Sequence, residues 1–341
     1  MPDWTMEPYA PGDEEGILAL RKAVFGNADP VRTRPEAWKW QFADNPAGHG
    51  FIMLAKHGAK VVGQYAAIPT RMLVAGQPET WGFSCDTMVH PDYRRRGMFT
   101  DLALALYQHM DMEHGVFVVW GFPNENSLPG FIGRLGWKTV EALPVRVGAH
   151  PLLMASPLLV ATHRMQELTG RLARGLSVER VRAFGPEFDE LWDRHAPRDG
   201  VIQVRDAAFL SWRYLGLSAF GYRAYALRRA SGALAGWFVL RSLPLFRVSS
   251  LVLVDWFFPL LSAKQAVAVL ARVRRHAAAS GRAACVALFP ARQASLARRA
   301  GFLAVPGRLS PKTFTLAGRN LPPGVENPSS WRTTLGDADI V

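Results

Sequence analysis

Cys85-Asp86-Thr87-Met88-Val89-His90-Pro91-Asp92-Tyr93-Arg94-Arg95-Arg96-Gly97-Met98-Phe99 reads as a strand end, a basic turn with one glycine, and a helix start. Leu102, Leu106 and Met110 recur at helical steps, with Ala103 and Tyr107 beside them, and predict a helix from Met98 to about His114. The first N–H groups of a helix have no internal partner, and the aligned peptide dipoles put partial positive charge there. A strand that feeds such a terminus through a glycine turn therefore suits an anion. Gly97 has no side chain to hold the anion off the backbone. On these residues alone, an ordinary strand-to-helix turn with solvated arginines fits equally well.

Working outward, residues 4–10 predict a short strand. A helix follows, with Glu14 and Glu15 in its first turn and Ile17, Leu18, Leu20, Ala23, Val24 and Phe25 giving its apolar face. Residues 35–42 predict a second helix, and Phe51 to Ala55 with Lys60 to Ala67 a hairpin turning at His57-Gly58. Ile68 to Leu73 and Trp81 to Val89 extend the sheet. Beyond the central helix, Val116 to Gly121 is the continuous apolar run of a strand buried on both faces. Phe122-Pro123-Asn124-Glu125-Asn126 breaks it, and Leu128 to Leu135 is a short helix leading into a strand at Trp137.

The chain has 341 residues, of which 49% are hydrophobic, enough for two domains that each bury a core. Its two cysteines, Cys85 and Cys285, make neither a disulfide framework nor a zinc spacing, so a reducing, cytoplasmic interior is expected. No apolar run reaches the roughly eighteen residues of a membrane span. Met1-Pro2-Asp3-Trp4 lacks the basic leader and apolar run of a secretory signal. The net charge of +12 suits nucleic acid, an anionic cofactor or an acidic lipid surface, or simply reflects a composition rich in arginine. No nucleic-acid motif accompanies the charge, so no nucleic-acid partner is expected. His57, His90, His109 and His114 form no metal-ligand spacing, and no metal is expected.

The second half repeats the first. Phe209-Leu210-Ser211-Trp212-Arg213-Tyr214 matches Ala37-Trp38-Lys39-Trp40-Gln41-Phe42, Gly236 falls over Gly63, and Ala284 to Pro290 overlays Val116 to Pro123. Ala297 to Phe302 overlays Ile132 to Trp137. The offsets drift slowly in one direction, as loop-length differences between two copies of one fold would make them. The fold class expected is α/β, with a mixed sheet in each of two tandem copies. The segments are a ligand-binding copy at 1–145, a linker and basic connecting helix at 146–176, a second copy at 177–318 and a tail at 319–341. Where the first copy has Pro91 to Phe99, the second has Phe257-Phe258-Pro259-Leu260-Leu261-Ser262-Ala263, without the basic turn. Only the first copy is expected to bind the anion.

Three ordered features of the first copy resemble the GNAT superfamily of N-acetyltransferases. Val89-His90-Pro91-Asp92-Tyr93-Arg94-Arg95-Arg96-Gly97-Met98 fits its Val-x-Pro-x-Tyr-Arg-x-x-Gly-x turn, with Phe99 where the family usually has Gly or Ala. The other two are the strand and asparagine segment Gly121 to Asn126, and Arg134-Leu135-Gly136-Trp137 at the turn into the last strand. The resemblance covers about residues 60–140 and implies acetyl-CoA, or another acyl-CoA, as co-substrate. It implies that Met88, Val89 and His90 pair with the pantetheine arm. The N–H groups of Arg95, Arg96, Gly97, Met98, Phe99 and Thr100 would wrap the pyrophosphate, with Arg94 and Arg96 adding charge-assisted bonds. Asn124 or Asn126 would bond the cofactor at the splayed strand, or simply form a loop turn.

Acyl transfer to an amine needs a neutral nucleophile, an oxyanion donor and an acid for the leaving thiolate. Asp86 on the central strand is the first candidate base, with a carboxylate satisfied by the backbone or by arginine as the alternative. Some multidomain relatives deliver a terminal carboxylate, which here would be that of Val341. The tyrosine acid common in the family is absent from the short helix, where Phe131 and Ile132 stand. The expected activity is N-acyl transfer to an amine by direct attack in a ternary complex. The acceptor is a small-molecule or sugar amine, with a protein amine as a further option. The alternatives are an acyl-CoA-binding module without catalysis and a peptidyltransferase of similar tandem fold that takes aminoacyl-tRNA.

Overall fold

The computed structural model describes residues 3–26, 28–149, 168–172, 175–245, 248–305 and 314–338. The chain divides into two units, one of Met1–Glu141 with Thr315–Asn327, the other of Ala142–Phe314 with Pro328–Val341. Both are α/β.

The first unit is built on strands β1 (Thr5–Pro8), β2 (Phe51–His57), β3 (Lys60–Val74), β4 (Gln77–Val89), β5 (Val119–Gly121) and β6 (Lys138–Leu143), with β16 (Phe314–Arg319) added from far along the chain. Their order is β1-β2-β3-β4-β5-β16-β6. β3 and β4 form one long antiparallel hairpin, whose tight turn places Ala75 and Gly76 at positive φ. The hairpin absorbs the separate strands expected at Ile68 and Trp81. β5 runs parallel to β4 and is shorter than its apolar run predicts. Helices α1 (Glu14–Phe25), α2 (Pro35–Phe42), α3 (Met98–His114) and α4 (Leu128–Leu135) complete the unit. The apolar face of α3, Met98, Leu102, Leu106 and Met110, is fully buried against β2 and β3. Gly63 on β3 makes this close approach feasible, since a Cβ there would lie 2.4 Å from Met98 Sδ.

The second unit uses β7 (Val145–Ala149), β8 (Gly170–Leu172), β9 (Leu176–Val181), β11 (Arg223–Arg229), β12 (Leu234–Leu245), β13 (Val248–Phe257), β14 (Ala284–Leu288) and β15 (Leu303–Ala304). A short strand β10 (Val201–Gln203) lies between β9 and β11 in sequence. The sheet order is β15-β7-β14-β13-β12-β11-β9-β8, again with one parallel pair, β13 with β14. Its helices are α5 (Pro186–His195), α6 (Ala207–Leu215), α7 (Ala263–Ala279) and α8 (Ala294–Arg299). Val269, Leu270, Val273 and Ala277 of α7 pack on Leu251, Leu253, Cys285 and Ala287 as α3 packs in the first unit.

The units do not coincide with the contiguous segments 1–145, 177–318 and 319–341. In the first sheet the strand between β5 and β6 is β16, antiparallel to β5 with Ala317 opposite Gly121. In the second, the strand between β14 and β15 is β7, which follows β6 directly in sequence. Each half thus supplies the other with the strand that closes its sheet. Unpaired edges of β5 and β14 would leave rows of N–H and C=O groups without partners, so each gap has to be filled by some strand. The connecting helix expected within Leu153 to Arg174 lies almost wholly outside the described residues, as does Val341. The segment before Val341 is docked rather than loose. Trp331, Leu335, Gly336, Asp337 and Ala338 are buried in the second unit.

Candidate functional site

The β4–β5 ladder pairs Gly82 with Val119 and Phe83 with Trp120, and stops there. β4 continues to Val89 while β5 ends at Gly121, so the edge from Ser84 to Val89 is left without a neighbouring strand on that side among the described residues. On its other side β4 bulges. Gln64 pairs with Met88 but Ala66 pairs with Cys85, leaving Asp86 and Thr87 opposite Tyr65 alone. Asp86 takes φ +47°, a left-handed conformation that is uncommon for a residue other than glycine. The bulge breaks the strict alternation by which Asp86 would face away from Val89.

Of the residues on this strand, Met88 is buried, and Val89 and His90 are half-buried. The His90 N–H donates to Val62 O at 2.9 Å, and its Nδ1 accepts from Asp92 N at 3.4 Å. The imidazole therefore caps the 3₁₀ turn Pro91–Tyr93.

The turn that follows is exposed from Arg94 to Gly97. Arg95 at φ +63° and Gly97 at φ +87° curl the backbone into the N-terminus of α3. No side chain caps that helix. The N–H groups of Arg95, Arg96, Gly97, Met98 and Phe99 have no acceptor among the described residues, whereas those of Thr100 and Asp101 turn back to Gly97 O. Five consecutive free donors at a positive helix end form a cradle for a polyanion. Thr100 Oγ1 is buried beside it without a partner. Arg94 Nε donates to Val89 O at 3.3 Å, and Arg96 lies 3.8 Å from Asp3 Oδ2 with both side chains largely exposed. The Phe99 side chain packs against Phe131 and Tyr65, with ring centroids at 5.3 and 6.1 Å, so only its backbone faces the turn.

Asp86 Oδ1 lies 2.7 Å from Arg21 Nη1 on α1 and 3.8 Å from Arg32 Nη1, with the side chains about one-tenth exposed. Asn124 uses its side chain in the loop, where Oδ1 accepts from the N–H groups of Asn126 and Ser127, both at 3.0 Å. That turn starts α4. Asn126 is exposed beside it.

A strand splay, a bulged strand and an open helix terminus converge within the segment from β3 to α4. Residues 5–140 match the family model of the acetyltransferase (GNAT) domain. This segment is a GNAT acetyltransferase domain. Beyond it, likeness extends through the fold. A conserved protein of unknown function from Enterococcus faecalis V583 is similar at TM-score 0.67 and 12% identity, over 93% of this chain and 72% of that one. A GCN5-related N-acetyltransferase from Anabaena variabilis is similar at TM-score 0.63 and 15% identity, over 92% and 72%. A GCN5-related glucosamine N-acetyltransferase region of a fungal multi-domain GH3 β-N-acetylglucosaminidase gives 0.59 and 13%, over 92% and 38%. No curated protein matches the chain in sequence.

Inside the GNAT domain lies a hydroxyl chain that sequence reasoning did not assemble, although Tyr65 was open there as an acid. Ser84 Oγ, at the mouth of the splay, donates to Tyr65 OH at 2.9 Å. Tyr65 OH and Tyr107 OH are 2.6 Å apart, and Trp137 Nε1 donates to Tyr107 OH at 2.9 Å. Burial pushes both phenols up, Tyr107 to about 12 and Tyr65 well above its ordinary value. Both stay protonated at neutral pH. The residues come from β3, β4, α3 and the turn just before β6, so no local spacing joins them.

The equivalent helix of the second unit, α7, has no such open terminus. Ser262 caps α7 with a full capping box, its Oγ accepting from Gln265 N and Gln265 Oε1 accepting from Ser262 N. It does keep the bulge and the aspartate. The β12–β13 ladder slips between Val239 and Leu240, and Trp237 pairs with Phe257 as Gln64 pairs with Met88. Counting back from those pairs, Asp255 takes the place of Asp86. Arg205 Nε, just before α6, lies 3.0 Å from Asp255 Oδ2, as Arg32, just before α2, approaches Asp86. An aspartate clamped by arginine at the bulge is thus a feature of both copies. Among the described residues, no group of histidine, cysteine or acidic side chains could hold a metal ion. No helix among them is long and apolar enough to cross a membrane.

Proposed function

We propose that the GNAT domain binds acyl-CoA along the splayed edge of β4 and transfers its acyl group to an amine. The observation that carries this reading is the row of free N–H groups from Arg95 to Phe99 at the N-terminus of α3. These donors, with those of Arg94 and Arg96 side chains, fit a pyrophosphate. The unpaired edge at Met88 and Val89 offers backbone groups to the amides of the pantetheine arm, with His90 at its end. Bound acyl-CoA would supply the activated thioester.

The protein's part is to hold, orient and move protons. The β4 edge can donate an N–H to the thioester carbonyl oxygen. Ser84, Tyr65 and Tyr107 form a protonated hydroxyl path from the mouth of the splay, and can return a proton to a leaving thiolate where Phe131 and Ile132 offer none. Asp86 is the carboxylate nearest the bulge. Its clamp by Arg21 and Arg32, repeated in the second unit, favours orientation of the bulge over proton abstraction. The amine's proton then leaves through solvent or the terminal carboxylate of Val341. Acetyl-CoA is the simplest donor, and a small-molecule or sugar amine the acceptor that the domain's chemistry suits.

Calorimetry with CoA, acetyl-CoA and a charged tRNA, followed by turnover across a panel of amines, tests this reading. Binding of both CoA species but not of tRNA is expected, with release of free thiol in the presence of an amine. Absence of CoA binding would remove the proposal. Binding without turnover would leave an acyl-CoA-binding module.

A further inference from the structure

The second unit contains a cavity of about 390 Å³ beside the last residues of β13, beyond the end of its ladder with β14. Their ladder ends at Leu253 and Ala287, and the cavity lies between the last residues of β13 and Gln293. Arg332, Thr333 and Thr334 form a third wall. It therefore lies beside the stretch of β13 that corresponds to the splayed edge of β4, with His195, Ile202 and Arg205 on its other side.

Four polar atoms of its lining are buried without a hydrogen-bond partner among the described residues: Trp256 Nε1, Gln293 Oε1, Arg332 Nε and Thr333 Oγ1. Thr333 is only 2% exposed. A buried group without a partner carries the whole cost of leaving water, so such groups point to an occupant. The two arginines of the lining are already matched. Arg205 pairs with Asp255 and Asp337, and Arg332 Nη2 lies 2.5 Å from Asp199 Oδ1. An ionised ligand would have to compete with these pairs, and its burial would be costly. What remains is two N–H donors, one carbonyl acceptor and one hydroxyl, beside the apolar surfaces of Phe257, Phe258 and Pro259.

We propose that this cavity binds a neutral, hydroxyl-rich ring, a monosaccharide or its N-acyl derivative. Sugar hydroxyls both donate and accept, which answers a mixed set of orphaned groups. The C–H face of a pyranose covers the aromatic wall. The volume falls in the usual range for small-molecule sites, roughly 300–1,000 Å³. The site is separate from the acyl-CoA reading of the first unit and stands or falls independently of it.

The test is a titration of the full chain, read by the Trp256 indole N–H resonance, assigned through Trp256→Phe. The probes are N-acetylglucosamine and methyl glucoside, with glucose 6-phosphate as the charged control. A saturable shift with a neutral sugar is expected, about tenfold weaker in Gln293→Leu, with CoA affinity unaltered in that variant. Far-UV circular dichroism shows whether each variant is folded, and the wild-type titration decides alone where one is not. No saturation at millimolar neutral sugar would overturn the proposal. So would an undiminished response in folded Gln293→Leu, or equal binding of glucose 6-phosphate.

Discussion

Gly97 is where a single residue matters most to the proposed donor site. At φ +87° any other side chain strains the backbone, by about 1–2 kcal/mol, and displaces the N–H groups that follow. Gly97→Val should therefore weaken CoA binding at least tenfold while the protein stays folded; an unchanged calorimetric affinity would show that the turn does not hold the cofactor. Tyr65 is the second such residue. Tyr65→Phe removes the middle of the hydroxyl chain without altering the packing of its ring. A fall in kcat of roughly ten- to a hundredfold, with KM for acetyl-CoA nearly constant, is the expected result. The basic turn and its glycine were legible in sequence because φ, charge and exposure are local properties. For Asp86 an arginine partner was one of the readings left open, but which arginines was not legible, since Arg21 and Arg32 reach it from the α1 side through tertiary contacts. Asn124 was legible only as an ambiguity, and its bonds to Asn126 and Ser127 place its side chain in the loop turn.

The two equivalent helices α3 and α7 share packing and differ in their ends. The first begins at an uncapped glycine, the second at a serine with a capping box. A cap uses up the very donors that an anion would need. Ser262→Ala should cost about 1 kcal/mol of stability in thermal or denaturant unfolding and leave CoA affinity where it was. A change in CoA affinity would mean that the second helix takes part in donor binding. The helices themselves were readable from apolar spacing, α3 within a residue at its start, because their core faces are periodic. Strand limits were less readable. β3 and β4 run through as one hairpin because the Ala75-Gly76 turn adopts positive φ without a strong sequence signal.

For the whole molecule, the exchange of β7 and β16 makes each unit depend on a distant part of the chain. Truncation after residue 313 removes β16 from the first sheet and also Arg332 to Asp337 from the second unit. Loss of cooperative folding is expected in both halves, seen by circular dichroism and by loss of CoA binding. Truncation after residue 338 keeps β16, Thr334 and Asp337, and with them the buried bonds to Arg205. Its melting temperature should match the full chain within a few degrees. Turnover then reports on residues 339–341, the Val341 carboxylate and the Asp339 side chain together, with a new terminal carboxylate at Ala338. An undiminished rate would remove Val341 from the mechanism, a conclusion that deletion of Asp337 as well would obscure.

The sequence by itself determined the α/β class, a division into two units, the helix faces and the basic turn that only the first unit carries. Those features rest on periodicity, glycine positions and local charge, which neighbouring residues set. Only the tertiary structure decided which strands close which sheet, that an arginine clamps the bulge aspartate in both units, and that Ser84, Tyr65 and Tyr107 join hands under the splay. It also decided that the tail docks and leaves an orphaned polar cavity beside it. Each of these depends on contacts between residues far apart in the chain, where backbone pairing and burial override any local preference.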